Sequence, residues 1–128
     1  MFVRFVTPVV NAKSGRRQGV FTAAYELRDQ GILTTELQIR IRWLLKWFDA
    51  HLGVPDKFSR RARRDAGRIA ISWFKDAARE HVSHMHALCL ILKEQGTVIE
   101  LLTTPRPGYI VFEDEHQVAA IPFADTDA

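Results

Sequence analysis

Three histidines lie close together in the segment HVSHMH, at His81, His84 and His86, and imidazole is the commonest metal ligand in proteins. On a helix, His81 and His84 are about 60° apart around the axis, whereas His84 and His86 point to nearly opposite sides. Zinc usually takes three or four protein ligands, so His81 and His84 alone make an incomplete site. The sequence therefore predicts no metal site and no cofactor, and it favours histidines at the edge of a core or in solvent.

Two further features contain side chains that catalysis uses. The acidic segment at residues 113–116 offers acid–base groups, but alternation along a β-hairpin sends its side chains to different faces, which favours a polar turn. Cys89 is the only cysteine, and its place on an apolar helical face favours a buried structural thiol over a reactive thiolate. No catalytic residue is predicted.

A basic loop with two glycines, SGRRQG at residues 14–19, is predicted to join a strand to a helix. The N-terminus of a helix presents unpaired backbone N–H groups and the positive end of its dipole, which together favour an anion. The cations here are Lys13, Arg16 and Arg17. The loop matches neither G-x-x-x-x-G-K-[ST] nor G-x-G-x-x-G, so it is either a phosphate site of another kind or a flexible basic loop.

The most basic stretch of the chain is KFSRRARRDAGR at residues 57–68, which fits a loop or a short helix. Its cations are Lys57, Arg60, Arg61, Arg63, Arg64 and Arg68. With the first basic loop it holds nine of the eighteen Lys and Arg residues, so the two segments, if adjacent, would form one phosphate-binding patch. The alternatives are a solvated loop or pairing with the acidic hairpin in a dimer. No helix-turn-helix, zinc-finger, RRM or KH signature is present, so base-specific recognition is not indicated.

Charge is unevenly distributed along the chain. Residues 1–96 hold 17 Lys and Arg against nine Asp and Glu, a balance of +8, whereas residues 97–128 have a balance of −5. This asymmetry favours an anionic partner or head-to-tail self-association. No apolar run reaches the roughly 20 residues of a membrane span, and no basic region precedes an apolar core at the start of the chain. We therefore expect no membrane contact and a cytoplasmic location.

The longest helical period lies at residues 76–95, where apolar side chains recur at spacings of three and four. Asp76 is a candidate N-cap, and Gly96 is placed to end the helix. The preceding residues 69–74 fit either a strand or the first turns of this helix. Helix is favoured because Phe74 continues the apolar face.

Two more helices are predicted at about residues 20–30 and 36–52. The second of these has a core stripe and, well away from it, a second stripe of Ile39, Trp43 and Trp47. Burial of both stripes is favoured because tryptophan is usually mostly buried. The alternative is a contact surface for a protein partner.

Strands are predicted at residues 2–7, 97–104, 109–112 and 117–122, followed by a frayed acidic tail at 124–128. This order of elements predicts one compact α+β domain spanning 1–128. Its expected architecture is a two-layer sandwich: a mostly antiparallel sheet of about four strands with three helices packed on one face.

The charge layout gives three functional hypotheses. The leading one is a small non-catalytic protein that binds nucleic acid or another polyanion through its basic patch. The second is a protein-interaction module or accessory subunit that uses the Ile39, Trp43 and Trp47 stripe. The third is a small enzyme acting on a phosphorylated substrate, which requires one deep pocket joining the basic loop to His81, His84 or His116.

Overall fold

The computed structural model describes residues 1–55, 58 and 66–128, except the side chains of residues 67 and 68. The strands are β1 (Phe2–Val10), β2 (Arg17–Gly19), β3 (Ile71–Lys75), β4 (Glu100–Thr104), β5 (Tyr109–Glu113) and β6 (Gln117–Ile121). The helices are α1 (Val20–Gln30), α2 (Thr35–His51), α3 (Ala66–Ile69) and α4 (Arg79–Glu94). The predicted α+β class is confirmed, and in the described part of the chain the antiparallel sheet has six strands, more than the predicted four.

Strand β1 is the centre of the sheet and is paired along both of its sides. On one side it pairs with β4 over residues 2–6. On the other side it pairs with β3 only at Phe2 and Val3, and with β2 at Val6 and Val10. Strand β3 then pairs with β6, and β6 with β5, which completes the order β2-β1-β3-β6-β5. Two different strands thus share one side of β1, and the sheet is split between them.

The three long helices cover one face of this sheet. Their apolar stripes meet Val3, Phe5 and Phe74 of the sheet in one core cluster. Ile41 of α2 and Leu88 of α4 are completely buried there. Complete burial of a side chain of this size contributes about 1.5–3 kcal/mol to stability. Packing against the sheet therefore holds α1, α2 and α4 in the layer that the periodicity predicts.

The opposite face of the sheet has its own small core. Val6, Leu102 and Trp73 are buried together there, and Ala128 packs against them. Thr126 is also buried, and its hydroxyl accepts a hydrogen bond from the N–H of Phe123 at 3.0 Å. Residues 124–128, which were predicted to fray, therefore lie folded against the sheet.

The helix predicted at residues 69–74 is wrong, because this segment forms strand β3. Side chains alternate along it: Ile71 and Trp73 are buried on the outer face, and Phe74 is buried against the helices. Phe74 therefore joins the helical core from a strand position. Helix α4 begins only at Arg79, and the side chain at its N-cap position makes no capping hydrogen bond.

Candidate anion-binding cleft

A cleft opens at the split in the sheet, where β1 has left β3 and not yet met β2. Its outer part has a volume of about 260 Å³ and adjoins a smaller inner cavity of about 90 Å³. Arg4, Gly19, Phe21 and Ser72 line both of them. We call the two adjoining spaces together the Arg4 cleft. Among the described residues that line its outer part, none carries a carboxylate.

Arg4 is the most unusual residue of the cleft because its charge is buried without a counterion. The residue is only 9% exposed, and its Nη2 donates a hydrogen bond to the backbone carbonyl of Arg17. Its Nε has no hydrogen-bond partner, and within the described residues Arg4 forms no salt bridge. Burial, with a further contribution from the charge of Arg17, lowers the pKa of Arg4 to about 10. At neutral pH the guanidinium still carries its positive charge.

Helix α1 begins at the same cleft and adds a second source of positive potential. Its N-cap residue is Gly19, which supplies no side-chain cap, and the first turn contains no acidic residue. Phe21 and Thr22 of this turn line the cleft. The first-turn N–H groups have no partner within the helix, and the helix dipole is positive at this end.

The loop between β1 and β2 forms the outer rim of the cleft. Asn11 fixes its shape, because its Oδ1 accepts hydrogen bonds from the backbone N–H groups of Lys13 at 2.9 Å and Ser14 at 3.2 Å. The backbone N–H of Asn11 in turn donates to the carbonyl of Arg16 at 2.7 Å. Lys13 is exposed at this rim and lines the cleft. The predicted phosphate loop therefore has a defined turn that presents Lys13.

The other two cations predicted in this loop contact the C-terminal residues instead. Arg16 donates hydrogen bonds to the backbone carbonyls of Thr126 and Phe123, at 3.0 and 3.5 Å. Arg17 forms salt bridges with Glu100 at 2.6 Å and with Asp127. Arg17 also lines the cleft, so its charge is close to Arg4 but already shared with two carboxylates.

The second basic segment is mostly outside the described residues. Lys57, Arg60, Arg61, Arg63 and Arg64 lie outside them, as does the side chain of Arg68, whose backbone belongs to α3. The chain that follows α3 is described, and Ala70 lines the Arg4 cleft together with Lys13. A residue two positions beyond the segment thus lines the same cleft as the first basic loop, whereas the predicted role of the segment's arginines stays a prediction.

The stripe of Ile39, Trp43 and Trp47 is only partly buried, contrary to the burial that was favoured. Ile39 is 65% exposed and Trp43 is 55% exposed. Trp47 is half-buried and packs against the helical core. An exposed isoleucine and tryptophan one helical turn apart leave an apolar surface on α2 without cover.

We call His51, His81, His84 and His116 the histidine cluster: the first three contact Trp47, and His116 contacts His81. The ring of Trp47 is stacked between His51 and His84, at centroid distances of 4.5 and 4.2 Å. His81 meets Trp47 edge-on at 4.8 Å and stacks on His116 at 4.1 Å. Among the described residues, no group of three or more His, Cys, Asp or Glu side chains is placed to hold a metal ion.

The histidine cluster and the Arg4 cleft are separate, because no histidine lines the cleft. The enzyme hypothesis required a pocket that joins them, and the described residues do not form one there. The acidic segment has a structural role: Asp114 Oδ1 accepts hydrogen bonds from the backbone N–H groups of His116 at 2.8 Å and Gln117 at 3.0 Å. Burial raises the pKa of Asp114, but these bonds and one from the Gln117 side chain together lower it below its ordinary value.

Sequence reasoning found Lys13 and the helix start but missed Arg4. The available signal was Arg4 itself, the only charged residue in the strand predicted at residues 2–7. Arginine is rarely buried without a partner, so its burial here is exceptional. The burial depends on the split in the sheet, and no local pattern indicates where β1 changes its partner.

No family model matches this chain, and neither the curated proteins nor the solved structures contain a match. Of the helices that the structure describes, none is long and apolar enough to cross a membrane. What the protein does must therefore follow from its own residues.

Proposed function

We propose that this protein is a non-catalytic binding protein that contacts nucleic acid or another polyanion through phosphate groups. The observation that carries the proposal is the Arg4 cleft, where Arg4, Lys13 and Arg17 converge and no described residue that lines the outer part carries a carboxylate. A concave, positive site of this kind concentrates anions. Arginine's planar guanidinium matches the geometry of phosphate oxygens.

The position of the cleft would allow a polyanion to contact the protein through more than one phosphate group. Ala70, at its edge, follows directly on α3 and the basic segment at 57–68. We propose that the arginines of this segment, which lie outside the described residues, add further phosphate contacts. Contacts to several phosphates give affinity without sequence preference, in agreement with the absence of a base-reading motif.

Binding of labelled oligonucleotides tests this proposal. Single-stranded DNA, duplex DNA and RNA of equal length are titrated with the protein at low and at physiological salt. We expect affinity to fall steeply with salt, because each phosphate contact releases condensed counterions. Replacing Lys13 with Ala should weaken binding to all sequences alike and reduce the salt slope by about one.

The matched control removes the same charge elsewhere. Lys93 is exposed on α4, and Lys93→Ala should leave the salt slope unchanged. For the variant with Arg60, Arg61, Arg63 and Arg64 changed to Ala, the control replaces four exposed cations of the helices: Arg40, Arg42, Lys46 and Lys93. Equal losses in the variant and its control would mean that only net charge matters. The absence of binding at physiological salt would contradict the proposal.

A second candidate function is protein–protein interaction through α2, favoured by the exposure of Ile39 and Trp43. Tryptophan is one of the residues that most often anchor interfaces. Sedimentation velocity over a range of concentrations tests the simplest form, self-association. We expect Trp43→Ser to abolish it and Leu90→Ser, at a similarly exposed position on α4, to leave it intact. A concentration-independent monomer would leave no support for self-association through α2.

A further inference from the structure

We propose that the inner end of the Arg4 cleft is a subsite for one tetrahedral oxyanion of the phosphate class, held by the Arg4 guanidinium and the first-turn N–H groups of α1. The subsite deepens the proposed function and rests on it for the source of the phosphate. The same chemistry accepts a phosphodiester of a polyanion or free inorganic phosphate.

The first argument is that Arg4 lacks a partner that its burial requires. A guanidinium has five N–H donors, and the described hydrogen bond of Arg4 engages Nη2 alone. Its Nε is buried with no acceptor. Burying a charge is costly unless it is paired and hydrogen-bonded. An anion in the cleft would supply both the opposite charge and the missing acceptors.

A purely structural role explains Arg4 less well. Its single described contact is with a backbone carbonyl, that of Arg17, which a neutral donor could serve equally well. Two nearby carboxylates, Glu100 and Asp127, pair with Arg17 and leave Arg4 without a salt bridge in the described part of the chain. The structure therefore places counterions beside the partly buried Arg17 and, among the described residues, none beside the more deeply buried Arg4.

The second argument is the convergence of an open helix N-terminus on the same point. A Cβ at the N-cap Gly19 would lie 3.8 Å from Nη1 of Arg4, so the guanidinium lies against the start of α1. Because the N-cap has no side chain and the first turn no acid, nothing in the helix itself neutralises this end. A helix N-terminus and a cation that face one space form an anion site.

The size and walls of the cavity restrict the ligand. The inner cavity of about 90 Å³ would hold roughly three water molecules, so only a small group enters it. Its lining is mostly apolar and includes Phe5, Val20 and Met85, with Ser72 and Gln117 as polar members besides Arg4. A compact oxyanion can therefore meet Arg4 at the entrance to this cavity, while a base or sugar stays in the outer part, beside Lys13.

Thermal unfolding with inorganic phosphate tests the subsite directly. Sodium phosphate is compared with sodium chloride at equal ionic strength, and the rise in Tm is measured for each variant against its own value without phosphate. Because a ligand that binds only the folded state stabilises it by mass action, we expect a phosphate-specific rise for the unaltered protein. In Arg4→Met the apparent phosphate affinity should fall at least tenfold, whereas Lys93→Ala should retain it.

A second variant decides the question if Arg4→Met does not fold. Thr22 is exposed in the first turn of α1 and lines the cleft, so Thr22→Asp places a carboxylate where the phosphate would bind. An acid at this end of a helix is favourable, so the ligand-free Tm should not fall. The phosphate-specific rise should disappear. A rise that persists in both variants, or no rise in the unaltered protein, would overturn the subsite.

The oligonucleotide titration separates this inference from the proposed function. Phosphate binding that depends on Arg4, without oligonucleotide binding, would support the subsite for free phosphate and refute the polyanion proposal. Oligonucleotide binding that is unchanged by Arg4→Met and Thr22→Asp, together with no phosphate-specific rise in Tm, would refute the subsite and keep the polyanion proposal. If Arg4→Met loses both phosphate binding and oligonucleotide binding, and if phosphate competes with the oligonucleotide for the unaltered protein, the subsite is supported. Its phosphate then belongs to the polyanion.

Discussion

The Arg4 cleft and the histidine cluster both place polar side chains among apolar ones, but they satisfy them differently. In the histidine cluster, His81 Nε2 lies 2.8 Å from the carbonyl of His51, and Nδ1 of His51 lies 2.8 Å from that of Trp47. His84 Nδ1 likewise lies 2.7 Å from the carbonyl of Glu80. In the cleft, Arg4 keeps one hydrogen bond and a buried Nε without a partner.

This difference separates a structural polar group from one that indicates a ligand. Buried polar groups in folded proteins almost always find partners, and an exception requires an explanation. The histidine cluster needs none, since His51, His81 and His84 bond to backbone carbonyls and His116 stacks on His81. Arg4 needs one, and a bound oxyanion supplies it.

The largest change in the free energy of unfolding is expected when the histidine cluster loses His81. His81 is 5% exposed, and His81→Ala would leave a cavity beside Trp47 and remove the donor to the His51 carbonyl. The free energy of unfolding should fall by about 3 kcal/mol, measured by urea denaturation. His86→Ala, at an exposed position on the same helix, should cost less than about 1 kcal/mol. Equal losses would mean that the cluster adds nothing specific.

In the Arg4 cleft we expect a substitution to raise the stability of the protein instead of lowering it. Arg4→Met replaces a buried, unpaired charge with an apolar side chain of similar length, so the protein without phosphate should become more stable by about 2 kcal/mol. Arg40→Met, on the exposed side of α2, should change stability by less than about 0.5 kcal/mol. Destabilisation by Arg4→Met would show that Arg4 is required for the fold and would weaken the comparison.

The pH dependence of stability offers a test inside the apolar core. Burial raises the pKa of Cys89 to about 11, with a smaller opposing effect of Lys93. The unfolded chain therefore loses the thiol proton first, and stability should fall as pH rises from about 9 towards 11. Cys89→Ala should show a shallower fall over this range. At pH 8 a thiol reagent should label Cys89 only after unfolding, and rapid labelling of the folded protein would contradict its burial.

The smallest effect concerns the carboxylates beside the cleft. Asp127→Asn removes one partner of Arg17, and because this ion pair is largely exposed, stability should fall by less than about 1 kcal/mol. The freed charge of Arg17 should raise oligonucleotide affinity a few-fold at low salt. An unchanged affinity would mean that Arg17 takes no part in binding.

The helices could be predicted from the sequence, and the split in the sheet could not. The apolar spacing of α1, α2 and α4 is a local property, and α1 and α2 begin and end within about one residue of their predictions. The end of α4 was also predicted, but α4 begins at Arg79, ten residues after the favoured start at residue 69. Strand β3 was mistaken for helix because five residues cannot show whether Phe74 follows a period of two or of 3.6. Strand β2 has three residues in a basic loop and exists only because β1 passes beside it.

The candidate site follows the same rule. Lys13 and the start of α1 are local features, and their association with an anion could be predicted. The pairing of Arg17 with Glu100 and Asp127 joins residues more than 80 positions apart, so it depends on the folded sheet. The burial of Arg4 depends on where β1 and β3 separate, and these two strands are far apart in the sequence. Long-range pairing thus decides which arginines remain available.

The split in the sheet also has a consequence for how the molecule opens. Strands β4, β1 and β2 form one half of the sheet and β3, β6 and β5 the other, and only two residue pairs of β1 and β3 join the halves directly. Amide hydrogen exchange should therefore reveal two units of different protection, with the boundary at residues 4–6 and 71–73. An oxyanion bound at Arg4 lies across this boundary. A bound oxyanion would therefore link the two halves of the sheet reversibly, and its binding should slow amide exchange in both units together.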